Sequence, residues 1–121
     1  MGVADRALLW AGKTKFEYDD LIRRSSPSLM GRFKFTMQLH NDLQHVLSDS
    51  SGKGPQGSRL PEFARNDLLG HISRLEKLGR TTYIYLRMKE LVTQEPNMSG
   101  LARKRQARAE WENDVIKRYS Y

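Results

Sequence analysis

The sequence predicts an all-α protein: a small helical domain with a central helical hairpin, a long helix before it and a peripheral basic C-terminal helix. Three observations carry that prediction. Apolar residues recur at spacings of three and four over most of the chain, Ser or Thr stands where several of these stripes begin, and the one stretch that could form a strand has no partner strand. With 121 residues the chain fits one domain, residues 1–121, able to bury a core without disulfides or metals.

The clearest stripe is Ala64, Leu68, Ile72, Leu75 and Leu78, entered through Pro61 and Glu62. Gly79 follows, at a place where a helix commonly ends, and Thr81 and Thr82 are placed to cap a second helix carrying Ile84, Tyr85, Met88, Leu91 and Val92. The pair reads as an antiparallel hairpin. Thr81 to Leu86 also suits a short strand by composition.

Before the hairpin, a first short helix carries Val3, Ala7 and Trp10 at spacings of four and three. A second opens at Thr14, three residues ahead of Glu17, the spacing of a capping box. It buries Tyr18, Leu21 and Ile22 and stops at Ser25, Ser26 and Pro27. Ser28 caps the longest helix, which runs to about Ser48. Leu29, Phe33, Met37, His40, Leu43 and Leu47 form its stripe, widened by Leu39 and Val46. Met30 and Phe35 point elsewhere, so this helix can contact two neighbours. Residues 49–59, DSSGKGPQGSR, read as a flexible Gly/Ser-rich loop, long for a compact helical domain. Past Pro96 and Asn97, Ser99 caps a last helix to about Tyr119, with Leu101, Trp111, Val115 and Tyr119 as sparse apolar positions and Arg105 and Arg108 completing their stripe.

Composition bounds the function. Leu, Ile, Val and Phe number 27 of 121 and mean hydropathy is -0.70. A core this thin implies that a partner completes part of the apolar surface. The absence of cysteine removes disulfides, thiolate metal sites and a cysteine nucleophile. No apolar run approaches transmembrane length, and the first residues lack the apolar core of a secretory signal, so a soluble intracellular protein is expected. Met1-Gly2 fails the acylation pattern because Arg6 stands where Ser or Thr is required. Asp5, Glu17, Asp19 and Asp20 are more acid than mitochondrial presequences carry. A mitochondrial matrix or matrix-facing location nevertheless stays among the expectations.

Net charge is +7, spread as +3 over residues 1–60, +2 over 61–92 and +2 over 93–121. Such a surface suits a polyanionic partner such as RNA, DNA or an anionic membrane surface. The densest feature is Arg103-Lys104-Arg105 with Arg108, four bases in six residues. Arginine's planar fork matches phosphate oxygens, so Arg103, Lys104, Arg105 and Arg108 are the expected contacts to RNA or an acidic partner, joined by Arg23, Arg24, Arg32 and Lys34 if the fold brings them to one side. The competing possibility is a solvated helix whose bases are balanced by Glu110, Glu112 and Asp114. Trp111, Met30 and Phe35 are the expected contacts to protein partners.

Catalytic and cofactor patterns fail on context. Gly52 to Gly57 has GxGxxG spacing, but a polar helix end precedes it and no helix opens from it. Gly12-Lys13-Thr14 lacks both the earlier glycine, Ala7 standing there, and a strand leading in. His40 and His45 diverge on a helix, and His71 adds no ligand set. Asp19 and Asp20 are adjacent and diverge as well. No serine sits in a nucleophile-elbow context. Neither an enzyme nor a cofactor is expected. Tyr85-Leu86-Arg87 holds the residues of the Leu-Tyr-Arg motif of small mitochondrial helical accessory proteins, but in another order and place, so no family resemblance follows.

The expected role is a non-catalytic accessory subunit of a large multi-subunit assembly, a ribonucleoprotein such as an organellar ribosome, with basic residues on RNA phosphate and neighbouring proteins around it. The alternative is an accessory subunit of a mitochondrial membrane-associated protein complex, bound through helix faces without RNA.

Overall fold

A computed structural model describes residues 3–49 and 60–119. It contains α1 (Val3–Ala11), α2 (Lys15–Ser25), α3 (Leu29–Asp49), α4 (Glu62–Gln94) and α5 (Gly100–Glu110). A π-helical turn, Trp111–Val115, then leads into the short α6, Ile116–Arg118. The fold is all-α, and among the described residues there is no strand, so residues 81–86 are helical.

Local chemistry sets the helix starts. The Thr14 hydroxyl accepts from the Glu17 amide at 3.2 Å while the Thr14 amide donates to the Glu17 carboxylate at 3.1 Å, the reciprocal capping box. Ser28 Oγ accepts from the Gly31 amide at 3.0 Å, and Ser99 Oγ from the Ala102 amide at 3.1 Å. Residues 50–59, which hold most of the expected flexible loop and the GxGxxG run, lie outside the described residues.

The central hairpin is corrected to one helix of 33 residues, α4, which passes through Gly79 without a break. Gly79 is buried on its inward face, where a Cβ would collide with Met37 Sδ and touch the Trp111 ring. Its role is close approach, not termination. Thr81 and Thr82 also do not cap: their hydroxyls donate back to the Lys77 and Leu78 carbonyls at 3.0 and 2.9 Å inside the continuous helix.

α3 and α4 are antiparallel, since Met37 meets Gly79, His40 faces Glu76 and the Phe33 and Tyr83 rings lie 5.9 Å apart. Two apolar clusters lie on either side of the Gly79 level. The first takes Ala7 and Ala11 from α1, Tyr18 and Ile22 from α2, Leu39, Leu43 and Val46 from α3, and Ala64, Leu68, Ile72 and Leu75 from α4. Tyr18 anchors it: its hydroxyl donates to the Trp10 carbonyl at 2.8 Å, and its ring lies 4.5 Å from His71 and 5.9 Å from Trp10. Burial pushes the Tyr18 phenol up, which keeps it a neutral donor. The second cluster joins Phe33 and Met37 of α3 to Trp111 and Val115, with Tyr83, Leu86, Ile116 and Tyr119 around them.

The last helix differs from expectation in register. Its inward residues are Arg103, Ala107, Trp111 and Val115, whereas Leu101 is 60% exposed and Arg105 and Arg108 are exposed. A strict spacing of four drifts by about 40° per step on an α-helix, and the wider π-helical turn at Trp111–Val115 takes up part of that drift. The segment is therefore not peripheral, because its Trp111 is only 2% exposed and closes the second core.

Two glycines of α4 test this packing. Gly70 has no neighbour within 4 Å of an added Cβ, so Gly70→Ala is expected to stabilise by up to about 1 kcal/mol through helix propensity. Gly79→Ala gains the same propensity but must displace buried Met37, and a net loss of about 1–2 kcal/mol is expected from overpacking. Urea denaturation of both variants measures the difference. Stabilisation by Gly79→Ala would contradict the close crossing.

Candidate functional site

The C-terminal segment concentrates both the bases and the pairing that sorts them. Arg87, on α4, is its hub. Arg87 Nε donates to both Glu110 carboxylate oxygens at 2.9 and 2.8 Å, and its Nη1 donates to Glu90 and Gln94 at 3.0 Å each. The Glu110 hydrogen bonds raise the Arg87 pKa against the opposing effect of burial. The Tyr83 phenol beside this network is pushed up by burial, with the Glu110 charge adding to the shift.

The other acids of the segment are engaged too. Glu112 pairs with Arg80 at 3.7 Å and Asp114 with Arg118 at 2.6 Å. These carboxylates thus face α4 or their own helix and do not neutralise the bases one turn earlier.

The four-base cluster is divided by the fold. Arg103 is half-buried and donates through Nη2 to the Glu95 and Pro96 carbonyls at 3.2 and 3.1 Å, tying down the turn between α4 and α5. Within the chain its contacts are thus structural. Lys104, Arg105 and Arg108 are exposed, and no described carboxylate lies within 4 Å of any of them.

Arg32 and Lys34 do not join this footprint. Arg32 is half-buried and donates through Nε to the Ser26 carbonyl at 2.8 Å. Lys34 is exposed on a groove of about 400 Å³ that also holds Met30, Arg87, Glu110 and Arg118. Glu110 occupies the edge of α5 nearest α3, and by helical geometry Lys104 and Arg108 occupy the opposite edge. Arg23 and Arg24 both pair with Asp20, whose carboxyl is held below its usual range by the Arg24 hydrogen bond.

Of the expected protein-contact residues, Trp111 lies in the second core. Its rings lie 5.9 Å from Tyr83 and 6.4 Å from Phe33. Met30 is 41% exposed. Phe35 is half-buried, packing on the first core and lining a groove of about 280 Å³ with Trp10 and Leu39.

Neither acidic pair nor histidine set assembles into a reactive constellation. Asp19 accepts from Arg74 at 2.7 Å while Asp20 turns to its own helix. His40 is buried 3.5 Å from the Glu76 carboxylate, and neither of its ring nitrogens has a hydrogen-bond partner among the described residues. No group of three potential metal ligands occurs among the described residues. No described helix is long and apolar enough to cross a membrane. Compared with known proteins, the chain matches no family model, no curated protein and no solved structure.

The division of the basic cluster is measurable. Arg103→Ala is expected to cost about 1–2 kcal/mol by leaving two turn carbonyls without their charged donor. Lys104→Ala and Arg105→Ala, at exposed positions, are expected to stay within about 0.5 kcal/mol of the parent. Thermal denaturation of the three single variants checks this, and equal losses in all three would contradict the assignment.

Proposed function

We propose that this chain is a non-catalytic accessory subunit of a large intracellular assembly, a ribonucleoprotein such as an organellar ribosome, and that it rests the outer edge of α5 on RNA phosphates. The observation that carries this reading is the separation of charge along one segment. Lys104, Arg105 and Arg108 project without carboxylate partners among the described residues, while Glu110, Glu112 and Asp114 are each held by an arginine. Clustered exposed bases on a rigid helix attract phosphate, position the subunit and read no base sequence. Buried Trp111 contributes by fixing the helix and stacks on no base.

A second reading, an accessory subunit of a mitochondrial membrane-associated protein complex without RNA, draws on exposed Tyr85, Val92 and Leu101 instead of the bases. Salt dependence separates the two. Three phosphate contacts to single-stranded RNA give a log–log slope of about −2, a roughly 20-fold loss of affinity between about 50 and 200 mM salt. Fluorescence anisotropy with a labelled uridine-rich RNA is expected to show that slope for the intact protein. The Lys104→Ala, Arg105→Ala, Arg108→Ala triple variant is expected to lose most of both slope and affinity while remaining folded. Unchanged RNA binding by the triple variant would overturn this interface.

A further inference from the structure

A cavity of about 280 Å³ lies where α2, α3 and α4 meet, and no described residue of α5 lines it. Ile22 of α2, Leu29 and Phe33 of α3 and Leu78 of α4 give it an apolar lining. Ile22 and Phe33 are buried whereas Leu29 is 40% exposed, so the cavity opens beside Leu29 and runs inward to the other two. Thr36 and Thr82 line it as well, but both hydroxyls are already engaged. Thr36 Oγ1 donates to the Arg32 carbonyl at 2.7 Å and Thr82 Oγ1 to the Leu78 carbonyl at 2.9 Å. The inner side chains therefore offer no free donor, and hydrocarbon fills such a space without losing a hydrogen bond to water.

The mouth is charged. Arg32 is a half-buried residue of the lining, its Nε donating to the Ser26 carbonyl at 2.8 Å, and its two Nη groups have no partner among the described residues. That one bond orients the guanidinium and leaves the Nη pair as a planar fork matched to a carboxylate. Arg23 is an exposed second base of the lining, loosely paired with Asp20 at 3.6 Å. The acid of the lining, Asp19, is bound to Arg74 at 2.7 Å, so its charge is met from α4 and does not cancel that of Arg32.

We propose that this cavity binds a medium-chain carboxylic acid, its carboxylate on the Nη fork of Arg32 and its hydrocarbon tail running inward between Ile22, Phe33 and Leu78. Charge selects the head group, because a fork already held in place pairs two coplanar oxygens with little further ordering. Size selects the tail. About 280 Å³ stands at the small end of ligand cavities, which run from about 300 to 1,000 Å³, so one short chain fits and a two-chain lipid does not. This site goes beyond the assembly role and uses none of the bases that the proposed RNA contact requires.

Isothermal titration calorimetry of the full-length chain with octanoate, decanoate and octanol tests it. Decanoate is expected to saturate a single site and to bind more tightly than octanoate by roughly fourfold per added methylene. Octanol, which keeps the tail and lacks the charge, is expected to bind about tenfold more weakly than octanoate. Arg32→Gln is expected to lose about tenfold for decanoate while octanol binding stays the same, which separates loss of the head-group contact from loss of the fold. Octanoate binding no tighter than octanol, no gain with chain length, several weak sites in place of one, or parental decanoate binding by Arg32→Gln would rule the proposal out. Should Arg32→Gln fail to fold, the three ligands on the parent chain decide alone. The salt-dependent RNA binding of α5 is measured independently, so the two readings fail separately.

Discussion

The close crossing of α3 over α4 at Gly79 is the constraint on which the rest of the structure depends. Met37 fills the space that any larger residue at position 79 would occupy, and the Trp111 ring settles against the same spot. Packing attraction falls steeply when surfaces separate by even a fraction of an ångström, so a wider crossing would weaken both apolar clusters at once. With the crossing tight, one helix of 33 residues serves as a common wall for α1, α2 and most of α3 on one half, and for the start of α3 and the C-terminal segment on the other.

That geometry decides the electrostatics. Once Trp111 and Val115 are fixed in the second core, Glu110 and Glu112 must face the arginines of α4, and Arg87 and Arg80 receive them. Ala107 and the stem of Arg103 then fill the interface with α4, which leaves Lys104, Arg105 and Arg108 on the outside. A stretch of nearly balanced charge is thereby separated into an inner network of ion pairs and an outer edge of bases. Long-range attraction responds to the outer edge. Half-exposed pairs such as Arg80–Glu112 contribute little stability of their own, but they keep acids away from that surface.

Helix starts were legible because capping is local. Thr14, Ser28 and Ser99 act within three residues, and each caps as its sequence context indicates. Gly79 was misread because a glycine at a helix end and a glycine at a close crossing look alike in one dimension. The same ambiguity misled the reading of Thr81 and Thr82, whose hydroxyls satisfy helix carbonyls as readily as they cap. In the last helix, Leu101 outweighed Ala107 as an apolar signal, although the small side chain is the one that close helix contact favours. Composition revealed the basic cluster but not which members face outward, since Arg103's partners lie in the preceding turn and Glu110's lies 23 residues away.

The assembly role is tested most directly by purifying the tagged intact protein from its native cells, with and without nuclease, and sizing what accompanies it. A subunit held on RNA phosphate is expected to run in a large particle, and nuclease is expected to release the chain from it. Migration as a free monomer in both samples would contradict the assembly role, and a large particle indifferent to nuclease would contradict its RNA component.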